Sequence, residues 1–178
     1  MAIDTAATGT TKKWGGRLPS RFFGAVAGIW LLTASSPSVA QERFVRISGL
    51  RDIDFGLIAN FNVDAVRSQN LCAFSGRPNL GYNVRAFGTG PSGAFTLSNG
   101  VDRLPYEVQW AGTSGQNIGL NLTANVVRTG LISSAAQQTC SNGPATTATL
   151  IILIRAAALQ SSAGGAYNGT LTLVVAPE

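Results

Sequence analysis

The sequence predicts an all-β protein whose strands pack as a sandwich. Three observations support this: short apolar segments that alternate with polar residues, turn-forming residues between them, and no amphipathic helix of ordinary length. Glycine makes up 21 of the 178 residues, and charged residues make up only 12%. Many short strands at regular spacing are typical of a sandwich or barrel. We therefore expect one domain, residues 41–178, preceded by a leader over residues 1–40.

The leader has the order of charged, apolar and small residues that marks a secretory signal. Four basic residues between positions 12 and 21 precede an apolar run, 22–32, and the small-residue site Ser38-Val39-Ala40 follows. This order predicts export and cleavage after Ala40. A membrane anchor is the alternative, but the run is shorter than the roughly 20 apolar residues that span a bilayer. The stretch before Lys12 is long for a signal, which leaves the true start codon open.

The predicted strands follow one another through the rest of the chain. Each is an alternating or continuously apolar run bounded by turn-forming residues. In chain order they are 44–47, 53–58, 71–74, 81–87, 94–97, 104–110, 118–122, 149–154 and 170–175. A single helical turn is expected at 156–159. The glycine-rich segment 88–93 is expected to be a hairpin turn and not a phosphate-binding loop, since no lysine or helix follows it.

Alternation also predicts which side chains face the core. Within 104–110, Tyr106, Val108 and Trp110 are expected to point inward, and the residues between them outward. The segment 149–154 is continuously apolar, as a strand covered on both faces is. In the segment 118–122, the residues expected to face the core are Ile118, Leu120 and Leu122.

The basic charge of the chain is concentrated in its leader. The whole sequence carries a formal net charge of +5, whereas residues 41–178 hold 9 Arg, no Lys and 7 Asp or Glu, a net charge of +2. We therefore expect scattered arginines on solvated strand faces and no binding of nucleic acid.

Cys72 and Cys140 are the two cysteines of the sequence. Two thiols in one small exported domain usually pair, so the sequence predicts a Cys72–Cys140 disulfide. The alternative is two free buried thiols. Because the bridge would close a long loop, it would stabilise the fold by about 4 kcal/mol.

The residues that most catalytic sites use are missing. The sequence has no histidine, which excludes Ser-His-Asp and Cys-His catalysis and histidine-ligated metals. No lysine follows residue 40, which excludes a lysine nucleophile. Asp52 and Asp54 are better read as solvated strand-edge charges than as a glycosidase pair or a calcium site. We therefore expect a protein that is not an enzyme and needs no cofactor or metal.

Three segments of the domain resemble the spore coat protein U family, which includes pilins of archaic chaperone–usher pili such as the Csu type. The first, Ile53-Asp54-Phe55-Gly56, is similar to an early strand of that family. The second runs from Cys72 through Tyr82-Asn83-Val84 and residues 93–100 to Leu104-Pro105-Tyr106-Glu107-Val108. The third, residues 165–175, is similar to the closing strand. Their order and spacing after a signal carry the resemblance, which covers most of residues 44–178.

The resemblance implies an incomplete immunoglobulin-like sandwich that lacks its last strand. A periplasmic chaperone would fill the resulting groove first. The N-terminal strand of a neighbouring pilin subunit would then replace it at an outer-membrane usher, by strand addition. The protein would pass through the periplasm to the cell surface. The residues expected to line the groove lie on one face of the closing strand: Leu171, Leu173 and Val175.

Cleavage after Ala40 would leave only three residues, 41–43, ahead of Phe44. Residues 41–50 would then have to serve as donor strand and first core strand at once. Three alternatives stay open: a subunit at a terminus of the assembly, an accessory surface protein of the same fold, or an earlier cleavage site, which residues 35–40 hardly support.

The alternative function is a self-contained secreted binding module, such as an adhesin or a carbohydrate-binding domain. Tyr82, Tyr106 and Trp110 would supply aromatic stacking to a ligand. The alternation around them favours packing in the core.

Overall fold

The structure is a computed structural model that describes residues 2–9, 44–76 and 81–178, with only the backbone pairing defined for residues 2–9. The predicted apolar run 22–32 and the cleavage site after Ala40 lie outside these ranges. Within the described ranges, no helix has the length and apolar character needed to cross a membrane.

Strands dominate the described chain. Their bounds, with one short helix, are β1 (Ala2–Gly9), β2 (Val45–Ser48), β3 (Ile53–Asp54), β4 (Ala65–Ser75), β5 (Gly81–Phe87), β6 (Thr96–Ser98), β7 (Arg103–Pro105), β8 (Glu107–Ala111), β9 (Leu120–Leu122), β10 (Val127–Ile132), β11 (Ala148–Ile154), α1 (Ala156–Ser161) and β12 (Asn168–Pro177).

The strands form two sheets. The first has the order β10-β5-β12-β1-β3, with β6 pairing beside β12 and β7 beside β6. The second has the order β2-β4-β11-β8-β9. Neighbouring strands are antiparallel, except that β1 runs parallel to β12. The all-β sandwich that the sequence predicts is confirmed.

The core lies between the two sheets. Tyr82 of β5 and Leu173 of β12 face Trp110 of β8 and Leu150 and Ile152 of β11, and all five are at most 1% exposed. Burying an aliphatic side chain of this size stabilises a fold by roughly 1.5–3 kcal/mol relative to leaving it in water. The continuous apolar run of β11 is buried along its whole length, which confirms a strand covered on both faces.

The alternation predicted for 104–110 is confirmed, with one break in the strand. Tyr106, Val108 and Trp110 are buried, and the residues between them are half-buried. The backbone N–H of Tyr106 donates to the carbonyl of Phe95 at 3.0 Å, at the point where β7 ends and β8 begins. The helical turn expected at 156–159 is confirmed as α1.

The strand predicted over 53–58 is wrong beyond Asp54. Gly56 has a φ of +62°, which is unfavourable for other residues. Its N–H donates to Oδ1 of Asp54 at 2.8 Å, so the side chain closes a turn where a ladder would continue. Leu57 is consequently 94% exposed.

The inward pattern predicted for the segment 118–122 holds only at its end. Leu122 is buried, whereas Ile118 is 80% and Leu120 is 45% exposed. The strand β9 is three residues long and lies at the edge of the second sheet, so Ile118 precedes the strand and alternation alone could not place it.

The segment 88–93 is not a hairpin turn. The strands on either side of it, β5 and β6, both pair with β12 and not with each other. A short 3₁₀ turn, Pro91–Gly93, makes the connection, and the N–H of Gly88 donates to the carbonyl of Gly93 at 2.8 Å.

Candidate functional site

Within the first sheet, the strand β12 has a neighbouring strand along each of its two edges. Along one edge it pairs antiparallel with β5, from Thr172 opposite Phe87 to Pro177 opposite Tyr82. Along the other it pairs in parallel with β1 over eight residues. The far edge of β1 pairs antiparallel with β3. The space that β1 occupies between β12 and β3 is one strand wide, and we call it the slot.

The strand in the slot comes from the start of the chain. Its register runs from Ala2 opposite Asn168 to Gly9 opposite Val175. At the Asn168 end, Ala2 also lies opposite Asp54 of β3. The pairing therefore uses residues upstream of the apolar run that the sequence predicts to be removed on export.

The floor of the slot is apolar because β12 alternates. Leu171 and Leu173 are fully buried, and Val175 is 4% exposed, whereas the residues between them are half-buried. The prediction that these three share one face is confirmed. Their edge is not unpaired in this chain, since residues 2–9 lie along it. Whether the edge is open after removal of residues 1–40 stays a prediction.

A cavity of about 660 Å³ opens beyond one end of the slot. Tyr167, which directly precedes β12, and Gly56, two residues after the end of β3, both line it. Leu159 and Tyr167 form buried parts of its wall, and Phe61 at its rim is 48% exposed. A strand that extended ahead of Ala2 would therefore approach a recess lined by both apolar and polar residues.

Hydrogen bonds from side chains to backbone carbonyls hold the wall of this recess. The hydroxyl of Tyr167 donates to the carbonyl of Ala163 at 3.0 Å, which fixes the loop between α1 and β12. The side-chain amide of Gln160 donates to the carbonyl of Phe61 at 3.1 Å and joins the helix to the facing loop.

A cluster of charges anchors the loop between β3 and β4. Arg155 binds Glu107 through two contacts, Nε to Oε1 at 2.8 Å and Nη2 to Oε2 at 2.7 Å. It also donates to Asp64 at 3.0 Å, and the N–H of Ala156 donates to the same carboxylate at 2.8 Å. The Ala156 N–H and Arg155 lower the pKa of Asp64, and the bond to Glu107 raises the pKa of Arg155.

The carboxylates considered for chemistry do not converge. Asp52 and Asp54 are exposed, and in the described chain no three His, Cys, Asp or Glu side chains come close enough to hold a metal ion. Asp54 closes the turn at Gly56, whose N–H lowers the pKa of that carboxyl. Arg67 lies 5.5 Å from the centre of the Phe55 ring and donates to the Phe55 carbonyl, which fixes the same turn.

The aromatic residues considered for ligand stacking lie in the core. Tyr82, Tyr106 and Trp110 are each at most 5% exposed, so none presents a ring to a ligand in solution. The expectation that they pack in the core is confirmed. Burial raises the pKa of Tyr82 to about 12, against the hydrogen bond from Trp110, which lowers it.

The Cys72–Cys140 disulfide is confirmed. The Cα atoms are 5.9 Å apart and the bond joins residues 68 positions apart in the chain. It ties β4 to the loop between β10 and β11, in a small apolar cluster with Phe44, Phe74 and Ala135.

Sequence reasoning missed two contributors to this site. The first is β1, because Ala2–Gly9 carries no apolar alternation and its strand is defined only by distant partners. The second is the cavity, whose lining comes from separate loops that only the fold brings together. The available signal was Gly56 together with Asn60 and Asn62, since glycine and asparagine are typical of turns and loops.

Comparison with known proteins assigns the chain to no family. No protein-family model matches the chain, and no curated protein matches its sequence. The fold class, an all-β sandwich with a disulfide, stands on the structure.

Proposed function

We propose that residues 41–178 form a structural subunit of a surface pilus or coat-type assembly, joined to its neighbour by exchange of a β-strand. The slot between β12 and β3 accepts that strand once the leader is removed. The fold is then an immunoglobulin-like sandwich that lacks one strand of its own. The function is structural and needs no catalysis.

The observation that carries this proposal is the source of the strand in the slot. Within residues 44–76 and 81–178, the domain supplies β12 and β3 as walls but no strand between them. In this chain the place is taken by Ala2–Gly9, which lies within the predicted leader, ahead of its apolar run. Cleavage after Ala40 would remove that strand and leave two ladder edges without partners.

An open slot would be costly for the isolated domain. Backbone N–H and C=O groups of β12 would lose one set of partners, and the apolar face of β12, with Leu171, Leu173 and Val175, would lose the neighbouring strand on that side. Exposed strand edges over apolar surface favour aggregation. A strand from a second protein relieves both costs, since its backbone completes the ladder and its alternate side chains cover the floor.

The same physics defines the partners along an export route. A periplasmic chaperone would hold the slot with a strand of its own, and an outer-membrane usher would exchange it for the strand of a neighbouring subunit. The cysteines would oxidise in the periplasm, where disulfides persist. The final location would be the cell surface.

The test compares the exported chain with a form that carries its own slot strand. The full chain is expressed with its leader, and the mass of the periplasmic product should correspond to a chain that begins at Gln41. A second form carries an alternating apolar strand after Glu178. A linker of a few residues forces that strand to run antiparallel to β12, whereas a linker of about a dozen allows the parallel direction of β1.

We expect at least one fused form to melt well above the unfused chain and to stay monomeric without a chaperone. A product that retains residues 22–32 would contradict the predicted cleavage after Ala40. An unfused mature chain that is monomeric, with the melting temperature of the fused forms, would contradict the open slot. That result would favour the self-contained binding module.

A further inference from the structure

We propose that the exported chain accepts a strand but donates none, so that it ends the assembly in which it takes part. The inference rests on the proposed function of the slot. It follows from what the structure does with the first residues of the mature domain.

The first mature strand is already used inside its own sandwich. The strand β2 pairs with β4 from Val45 opposite Ser75 to Ser48 opposite Cys72. A further hydrogen bond lies one residue ahead of β2, where the N–H of Gly76 donates to the carbonyl of Phe44 at 2.9 Å. To serve as a donor, this segment would have to leave its own sheet.

Side chains also hold β2 in place. The ring of Phe44 lies 5.4 Å from that of Phe74, in the apolar cluster around the disulfide. The apolar side chains that follow, Val45, Ile47 and Leu50, pack against the main core. Release of this segment would therefore open two apolar clusters at once.

The residues ahead of Phe44 are too few to fill a slot. The slot in this protein pairs eight residues, which in an extended strand cover about 27 Å. Cleavage after Ala40 leaves Gln41, Glu42 and Arg43, which cover about 10 Å. They also include two charged residues, which an apolar floor does not accept.

These facts define the partner. The strand that fills this slot cannot come from a second copy of the mature chain, because each copy holds its first strand in its own sheet. It must come from a different subunit that carries a free alternating apolar strand ahead of its first core strand. This chain then stands at one end of the filament, in one copy per filament.

The test asks whether the exported chain can act as a donor. The full chain, expressed with its leader, is compared with a variant that carries an alternating apolar segment of about 12 residues between Arg43 and Phe44. A matched control carries the same residues at the same place in an order without alternation. The acceptor slot is the same in both variants, so they differ only in the inserted segment. Products are run without heating in SDS, where strand-exchanged oligomers form a ladder, and their masses are measured in solution.

We expect the natural chain to form no SDS-resistant ladder and to bind a synthetic alternating peptide in a 1:1 complex. The extended variant should give a ladder of oligomers, and the matched control should give none. A ladder from the natural chain would overturn the inference while leaving the slot intact. If the peptide does not bind and the extended variant forms no ladder, the slot accepts no strand, and the proposed function fails together with the inference.

Discussion

The indole N–H of Trp110 donates a hydrogen bond to the hydroxyl of Tyr82 at 3.0 Å, across the interface between the two sheets. The rings meet edge to face, with centroids 6.4 Å apart. Trp110 is fully buried and Tyr82 is 1% exposed, so water cannot replace either partner. The contact fixes β5 against β8, and β5 is the strand that supports β12 from the side opposite the slot.

The first prediction compares two buried tyrosines. Tyr82→Phe removes the acceptor of the Trp110 N–H, and a buried donor without a partner costs about 1–3 kcal/mol. Tyr106 is the matched control, because its buried hydroxyl has no hydrogen-bond partner among the residues that the structure describes. Tyr106→Phe should therefore leave the free energy of unfolding unchanged or raise it by about 1 kcal/mol. Urea unfolding monitored by tryptophan fluorescence measures both. Equal losses in the two variants would contradict the role given to the contact.

The second prediction concerns the disulfide. The Cys72Ala/Cys140Ala double variant should lose about 4 kcal/mol of unfolding free energy, since the bond closes a long loop in the unfolded chain. The loop keeps a second anchor, because the hydroxyls of Ser133 and Thr147 both donate to the carbonyl of Ala73. We therefore expect the variant to fold, with a lower midpoint in urea. Two reactive thiols in the denatured natural protein would show that the bond does not form.

The third prediction is a pH dependence that arises at Asp64. The Ala156 N–H and the Arg155 guanidinium lower the pKa of this carboxyl below its ordinary value of 3.8. A carboxyl with a lowered pKa stabilises the fold above its unfolded pKa, and that contribution disappears as the pH falls through the folded pKa. Asp64→Asn keeps an oxygen to accept from the Ala156 N–H but removes the charge.

We therefore expect Asp64→Asn to be less stable than the natural chain at pH 7 and to approach it as the pH falls below 3.8 and through the lowered pKa of Asp64. A series of thermal melts from pH 7 into the acid range measures the change. Asp52→Asn is the matched control, because it makes the same change of charge outside this cluster. A difference at pH 7 that persists unchanged at low pH would assign the loss to structure and not to ionisation.

Sequence reasoning recovered the parts of the fold that local burial dictates. Strands such as β8, β11 and β12 have one or both faces in the core, so their residues must follow a period of two or be apolar throughout. The same pattern gave the floor of the slot, since Leu171, Leu173 and Val175 must share a face if β12 is a strand. The disulfide followed from the presence of two cysteines behind a leader.

The parts that were missed depend on backbone geometry or on distant partners. The strand β10 was not predicted because its ladder with β5 is interrupted between Arg128 and Leu131, where Gly130 has a φ of +75°. An irregularity of this kind breaks the alternation that identifies a strand. The pairing of β1 has no local signal, since it is set by edges more than forty residues away.

The last prediction tests the floor of the slot in the fused form that carries its own strand. Leu173 lies in the middle of the floor and is fully buried. Leu173→Asp places a carboxylate without a partner under the added strand, and burial of an unpaired charge is strongly unfavourable. It also removes one apolar contact worth roughly 1.5–3 kcal/mol. The rise in melting temperature that the fusion gives should disappear.

Thr172→Asp is the matched control, because Thr172 is the next residue of the same strand, half-buried on the opposite face. It adds the same charge to β12 without reaching the floor, so the fused form should keep most of its gain. Melting of the fused and unfused forms of each variant separates the effect on the slot from the effect on the sandwich. If Leu173→Asp lowers the melting temperature of both forms equally, its side chain supports the sandwich alone, and the added strand does not pack on this floor. If Thr172→Asp removes the rise in melting temperature as completely as Leu173→Asp does, the added strand responds to the charge of β12 and does not depend on its apolar face.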